Sequence, residues 1–126
     1  MERRLFELAV VIVAAHARAA HEWSVHQPLA EAAGISASVI SALAEARTPS
    51  FAQADEACVY AFVSALLEIG TVGQLAWSEA AEQLGLPTVV ELVSVVGYYL
   101  ALALALNAFD VSPSGPAQVP WLREGQ

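Results

Sequence analysis

The residues with the greatest capacity for chemistry lie near the start of the chain, where His16, His21, Glu22 and His26 follow Glu7. Glu22 and His26 are four positions apart, so on a helix their side chains share one face. A carboxylate that accepts a hydrogen bond from an imidazole N–H orients the ring and makes it a usable general acid–base catalyst. The spacing therefore indicates a Glu22–His26 pair that transfers protons. The alternative is an ordinary surface pair, worth only about 0.2–0.5 kcal/mol.

The same segment does not have the spacing of a zinc site. Two zinc-binding histidines on a helix are placed at i and i+4, as in the HExxH pattern. His21 and His26 are five positions apart, which separates them by a net rotation of about 140° on an ideal helix. We expect no metal ligands among these residues.

Cys58 is the only cysteine, which excludes an internal disulfide and a CxxC redox pair and suits a reducing cytoplasm. In an apolar helix, a lone cysteine is more often a small inert side chain than a nucleophile. A one-cysteine thiol peroxidase would need Cys58 to be exposed and to have a lowered pKa. Glu91 fits a buried acid, and Tyr98 and Tyr99 fit aromatic residues of a core or an interface.

The composition is unusually apolar, with 57% hydrophobic residues, 14% charged residues and a mean hydropathy of +0.55. Disordered chains are polar and rich in charge, so disorder is excluded. A chain of 126 residues corresponds to one domain. The surplus of apolar side chains predicts burial either in a membrane or in a large interface between subunits.

The net charge is −8, and the chain contains no lysine. Nucleic-acid binding needs a basic surface that displaces counterions, so nucleic acid is not expected as a partner. A Schiff-base lysine and a P-loop lysine are excluded as well.

Two segments have features of membrane or targeting sequences. The first residues have the order of a secretory signal, basic and then apolar, but Glu7 interrupts the apolar stretch. Residues 92–109 contain no charge, close to the roughly 20 residues that span a bilayer. Gly97, Asn107 and the absence of flanking basic residues favour a central, buried helix of a helical oligomer over a membrane span. We expect no membrane association.

Helical spacing of apolar residues predicts a single all-α bundle of about six helices. The predicted segments are residues 3–20, 23–33, 37–45, 52–68, 74–84 and 88–108, within a helical domain of residues 1–111. Ser36 and Ser50 are predicted N-caps, Pro28 lies early in the second helix, and Pro87 opens the last one. Residues 112–126 are rich in Pro, Ser and Gly and read as a C-terminal tail.

Six short segments together resemble the carboxymuconolactone decarboxylase family, which has the alkylhydroperoxidase D-like fold. They are residues 5–11 (LFELAVV), 22–26 (EWSVH), 33–36 (AGIS), 90–93 (VELV), 97–99 (GYY) and 106–108 (LNA). The resemblance implies an all-α obligate oligomer, a trimer or hexamer, with a site built from Glu7, Glu22 and His26. In the peroxidase branch two cysteines precede the histidine, at positions that are Ala19 and Glu22 here. The similarity is therefore to the decarboxylase-like branch, which needs no thiol, metal or organic cofactor.

The leading hypothesis is a cytoplasmic, cofactor-independent lyase (decarboxylase) or isomerase that acts on a small cyclic unsaturated or keto organic acid. His26 would be the general acid–base, Glu22 would orient its imidazole, and Glu7 would complete the relay. The alternative is a non-catalytic oligomeric scaffold or small-molecule binding protein of the same fold. Ile12 favours this alternative, because many relatives have an arginine at that position.

Overall fold

The computed structural model describes residues 1–111 and Trp121. Within that part of the chain the protein is all-helical, with six helices and no strand. The helices are α1 (Arg3–Ala17), α2 (Ala20–Ala32), α3 (Ala37–Ala44), α4 (Ala54–Glu68), α5 (Gln74–Leu84) and α6 (Leu86–Ala108). The predicted class and the predicted number of helices are thus confirmed. Residues 112–126, the predicted tail, lie outside the described residues except for Trp121.

Helix α1 is the centre of the bundle. It packs against α2, α4 and α6, and it also contacts α3. Every residue from Leu5 to Ala14 except Phe6 is buried, so this segment has no solvent-facing side. The sequence analysis expects residues 92–109 to be the central helix of a helical oligomer, and that expectation stays a prediction. Within a single chain α1 has the central place, because burial depends on how many helices surround a segment and not on the segment's hydropathy alone.

Helix α6 is apolar along its length but is buried on one side only. It rests on α1 through residues such as Val89, Leu92 and Val96. Its opposite side is exposed and carries a row of apolar or small residues, which we call the α6 face: Leu86, Val90, Val93, Gly97, Ala101 and Leu104. The one charged residue of α6, Glu91, is half-exposed and pairs with the amino group of Met1 at 2.8 Å rather than being buried.

By length and composition, α6 is also a candidate membrane span. Its most apolar window has a mean hydropathy of 2.1, and 22% of that window is buried inside the protein. A membrane-spanning helix and a helix that packs against another subunit both satisfy this test. In both kinds of helix, the exposed apolar side would be covered by something other than α1.

The junction between α1 and α2 differs from the sequence prediction. Arg18 adopts a left-handed conformation with φ 53°, and the N–H of Ala19 returns to the carbonyl of Ala14 at 3.0 Å, which ends α1 at Ala17. Helix α2 then begins at Ala20, so Pro28 lies in its interior rather than near its start. Helix α2 consequently presents Glu22 in its first turn.

The other helix ends agree more closely with expectation. Ser36 caps α3, since its side chain accepts a hydrogen bond from the N–H of Val39 at 3.3 Å. The bounds of α5 are as predicted. The predicted cap at Ser50 is wrong, because α4 begins after Gln53 without a side-chain cap. Helix α6 starts at Leu86, immediately before Pro87.

Two polar contacts fix α1 relative to its neighbours. Near its start, the Arg4 guanidinium donates to Asp55 and Glu56, each at 2.6 Å, which ties α1 to the first turn of α4. The Arg4 guanidinium keeps the pKa of Asp55 below its usual range. At its other end, the Asn107 amide donates to the carbonyl of Ala17 at 2.6 Å, which ties α1 to α6.

Candidate active site

Glu7 and His26 form the centre of the candidate site. Glu7 lies on α1, the helix surrounded by neighbours, and its side chain has no exposure to solvent. His26 lies on α2, and its Nδ1 is 2.8 Å from Oε2 of Glu7. An ionised carboxylate accepts hydrogen bonds and does not donate them, so this contact assigns the proton to Nδ1. Nε2, the other ring nitrogen, then has a free lone pair that can accept a proton.

The second oxygen of Glu7 faces Arg3. The Arg3 guanidinium is 3.2 Å from Oε1, one helical turn before Glu7, although the geometry is that of an ion pair rather than a hydrogen bond. The same guanidinium lies over the Phe6 ring, 5.8 Å from its centroid. The Arg3 side chain is 69% exposed, so it extends from the buried carboxylate to the protein surface.

Glu22 does not pair with His26, contrary to the sequence prediction. The side chain is 2% exposed, and neither carboxyl oxygen has a hydrogen-bond partner among the described residues. Burial raises the pKa of Glu22 to about 7. The i,i+4 spacing identified a shared helix face correctly, but the imidazole is taken by Glu7 from the adjacent helix. A contact between helices cannot be read from spacing within one of them.

Tyr99 completes the group from α6, and the sequence reasoning assigned it no chemical role. Its ring lies edge-on to the His26 ring, with centroids 5.3 Å apart, and edge-on to Phe6 at 5.7 Å. Burial raises the pKa of Tyr99, and the charges of Glu7 and Glu22 raise it further. Tyr99 is therefore a neutral phenol beside the imidazole. The only sequence signal for this role was the pair of adjacent tyrosines, since neighbouring residues on a helix point in different directions. Tyr98 is exposed, whereas Tyr99 contacts Phe6 of α1.

Trp23 and Cys58 lie outside this group. Trp23, buried next to Glu22 in the sequence, packs edge-on against Trp121 with centroids 5.4 Å apart. Cys58, on α4, is half-buried, and burial raises the pKa of its thiol. Both properties are the reverse of those that a one-cysteine peroxidase requires.

The site residues thus come from three helices around one buried carboxylate. Of the predicted residues, Glu7 and His26 are brought into direct contact, and Glu22 lies buried one turn before His26 on α2. Within residues 1–111 and Trp121, no group of three or more His, Cys, Asp or Glu side chains is arranged to hold a metal ion. The described arrangement can hold an imidazole in one tautomer and supply it with a buried counter-charge.

Comparison with family models, curated proteins and solved structures finds no match to this chain.

Proposed function

We propose that this protein is a cofactor-independent lyase or isomerase that moves a proton to or from carbon in a small unsaturated or keto organic acid. The observation that carries the proposal is the 2.8 Å contact between His26 and the fully buried Glu7. A carboxylate in a dry environment is costly unless it is paired. Here its partners are the imidazole and Arg3, which is the arrangement of a general acid–base with a counter-charge.

The proposed step uses Nε2 of His26. In an isomerisation, Nε2 takes the proton from a carbon next to a carbonyl group, and the electron pair of that C–H bond enters the conjugated system. The imidazolium then returns the proton to another carbon, so the double bond shifts. In a decarboxylation, Nε2 first takes up a proton from water. The electron pair of the broken C–C bond then enters the same system as carbon dioxide leaves, and Nε2 of the imidazolium gives its proton to carbon. Glu7 stabilises the imidazolium in both cases.

Glu22 and Arg3 give the site the two further properties that an organic acid requires. A carboxyl group with a pKa of about 7 is partly protonated at neutral pH, so Glu22, whose oxygens are shielded, adds less than a full negative charge beside an anionic substrate. The exposed end of Arg3 offers a guanidinium to a substrate carboxylate. This charge pattern favours an acid over a neutral or cationic substrate.

We also propose that the chain is a member of the carboxymuconolactone decarboxylase family that works as a homo-oligomer. In support, the bundle is all-helical, and Glu7 and His26, two of the three site residues that the resemblance implies, are in contact. The α6 face supports association, because apolar patches of this kind mark interaction surfaces. Each protomer should then bury more than the roughly 800 Å² per partner of a standard interface.

The test is to incubate the protein with a panel of unsaturated lactone acids and keto acids in D₂O and to follow carbon dioxide release and deuterium uptake at carbon. We expect His26→Gln to lower turnover by about 10²–10⁴-fold, the usual contribution of a general acid–base. The matched control is His21→Gln, which removes an imidazole from the same helix at a position rotated by about 140°. Equal loss in both variants, or full activity in His26→Gln with an intact fold, would contradict the assignment.

A non-catalytic binding protein of the same architecture is the second candidate. It is favoured by the closure of Glu22, whose carboxyl oxygens are shielded from solvent and have no hydrogen-bond partner in the described part of the chain. Under this alternative, members of the panel would bind near His26 without deuterium exchange or product formation.

A further inference from the structure

A cavity of about 330 Å³ lies at the far end of α1, away from the Glu7–His26 pair. It is open to solvent on one side and is lined by the second half of α1, the end of α3 with the loop that follows, and the second half of α4. Along α1, the lining residue His16 is about 13 Å from Glu7 at 1.5 Å per residue. The cavity is therefore a separate site, and its volume falls at the lower end of the range for small-molecule pockets.

Positive charge is concentrated in the wall of this cavity. The chain has five arginines, no lysine and a net charge of −8, yet Arg18 and Arg47 both line it. Arg18 is exposed, and its guanidinium has no hydrogen-bond or ion-pair partner among the described residues. Arg47 contacts Glu45 at 2.6 Å, but both side chains are more than half exposed, and such pairs contribute little. One acid, Glu68, also lines the cavity.

The backbone places Arg18 where a glycine is more usual. Arg18 has φ 53° and ends α1, and Ala46 has φ 57° just after α3. Residues with a side chain rarely adopt this left-handed conformation. Arginines near helix C-termini also compensate the partial negative charge of the last carbonyls. That role alone, however, does not require a cavity between the two helix ends.

The remaining wall is suited to an amphiphilic ligand. Thr48, Tyr60 and Ser64 contribute hydroxyl groups that make no hydrogen bond within the described residues. Ile12, Leu43 and Leu67 contribute apolar surface. Guanidinium groups match the geometry of a carboxylate, and hydroxyl groups donate to its remaining lone pairs. We propose that this cavity binds a small organic carboxylate with an apolar body, independently of the Glu7–His26 site.

The experiment titrates ¹⁵N-labelled protein with hexanoate and follows backbone amide shifts. We expect saturable shifts at Thr48, Tyr60 and Ser64. Arg47→Gln and Arg18→Asn should each weaken hexanoate binding about tenfold, the loss of one charge-assisted contact. Asparagine is chosen at position 18 because it tolerates the left-handed conformation. Glu68→Gln should instead strengthen binding, since it removes a negative charge from the wall.

Four results would overturn the proposal. One is the absence of saturable shifts below about 50 mM hexanoate, a concentration that covers millimolar affinity. Another is equal binding of hexan-1-ol, which has the same chain without the charge. The third is a set of shifts that centres on His26. The fourth is hexanoate binding that neither arginine substitution weakens. Arg47→Gln lies in an exposed segment and provides the test if Arg18→Asn does not fold.

Discussion

Helices α1 and α6 are both strongly apolar, yet the fold uses them in opposite ways. Helix α1 is surrounded by α2, α4 and α6 and buries every side of its middle section, including the carboxylate of Glu7. Helix α6 covers α1 with one side and leaves the α6 face exposed in the described part of the chain. The comparison teaches that one hydropathy pattern can specify either a buried core helix or a helix with an exposed apolar side. We propose that the chemistry belongs to α1 and its neighbours and that association uses α6.

The largest predicted difference comes from truncating a leucine in each helix. Leu8→Ala in α1 removes a side chain with no exposure and should lower the free energy of unfolding by about 2–5 kcal/mol. Leu104→Ala in α6 removes a side chain that is 58% exposed and should cost the isolated chain about 0.5 kcal/mol or less. Urea unfolding at a protein concentration where the chain is monomeric measures both. Equal losses of unfolding free energy in the two variants would contradict the view that α1 is a core helix and α6 is exposed on one side.

The dry environment beside α1 also predicts a pH dependence of stability. The pKa of Glu22 is raised to about 7 from 4.5, so the folded state holds this proton more tightly than the unfolded state. Stability from Glu22 is thus fully present below pH 4.5 and is lost as the pH rises through about 7. The loss is about 3 kcal/mol at most.

Glu22→Gln isolates this effect, because glutamine resembles the protonated acid and does not titrate. The difference in unfolding free energy between wild type and variant should change in the variant's favour from pH 4.5 to pH 7.5. Asp55, whose lowered pKa acts in the opposite direction by removing stability as the pH falls, is present in both proteins and cancels. A difference that does not vary with pH would show that Glu22 is hydrated.

Gly97 sharpens the comparison on the side of α6. Outside its own stretch of helix, a Cβ atom at Gly97 would meet no atom of the described residues within 4 Å, so no described neighbour requires a glycine in the middle of this helix. If a second copy packs on the α6 face, Gly97→Leu should weaken association at least about tenfold, as measured by sedimentation velocity. Gly73→Leu is the control, since it also lies in open space but outside that face. Association that is equally strong in both variants would place the interface elsewhere.

An intermediate effect on stability is expected where a polar contact joins α1 to α6. Asn107→Ala removes an exposed hydrogen bond to the carbonyl of Ala17. The free energy of unfolding should fall by about 1 kcal/mol. Thermal unfolding of the variant measures it. The loss of unfolding free energy should be larger than that of Leu104→Ala and smaller than that of Leu8→Ala. Any other order would contradict the prediction.

The sequence was sufficient to predict the helices but not the contacts between them. Apolar periodicity and the Ser36 cap are local signals, and they predicted six helices and the bounds of α5. The left-handed Arg18 was missed because no glycine marks that turn, and this shifted the start of α2. Glu7 and His26, which the sequence analysis selected as site residues, are in contact, and their role in a site stays a prediction. Their bond, the isolation of Glu22 and the place of Tyr99 depend on contacts between α1, α2 and α6, which spacing within one helix does not report.

The most direct test of the central claim is the tautomer of His26. Long-range ¹H–¹⁵N correlation spectra distinguish the two ring nitrogens at a pH where the imidazole is neutral. Hydrogen bonding to the buried Glu7 predicts that Nδ1 carries the proton and that Nε2 is free to accept one. A proton on Nε2 would contradict the account, because His26 would then have no basic nitrogen available for substrate.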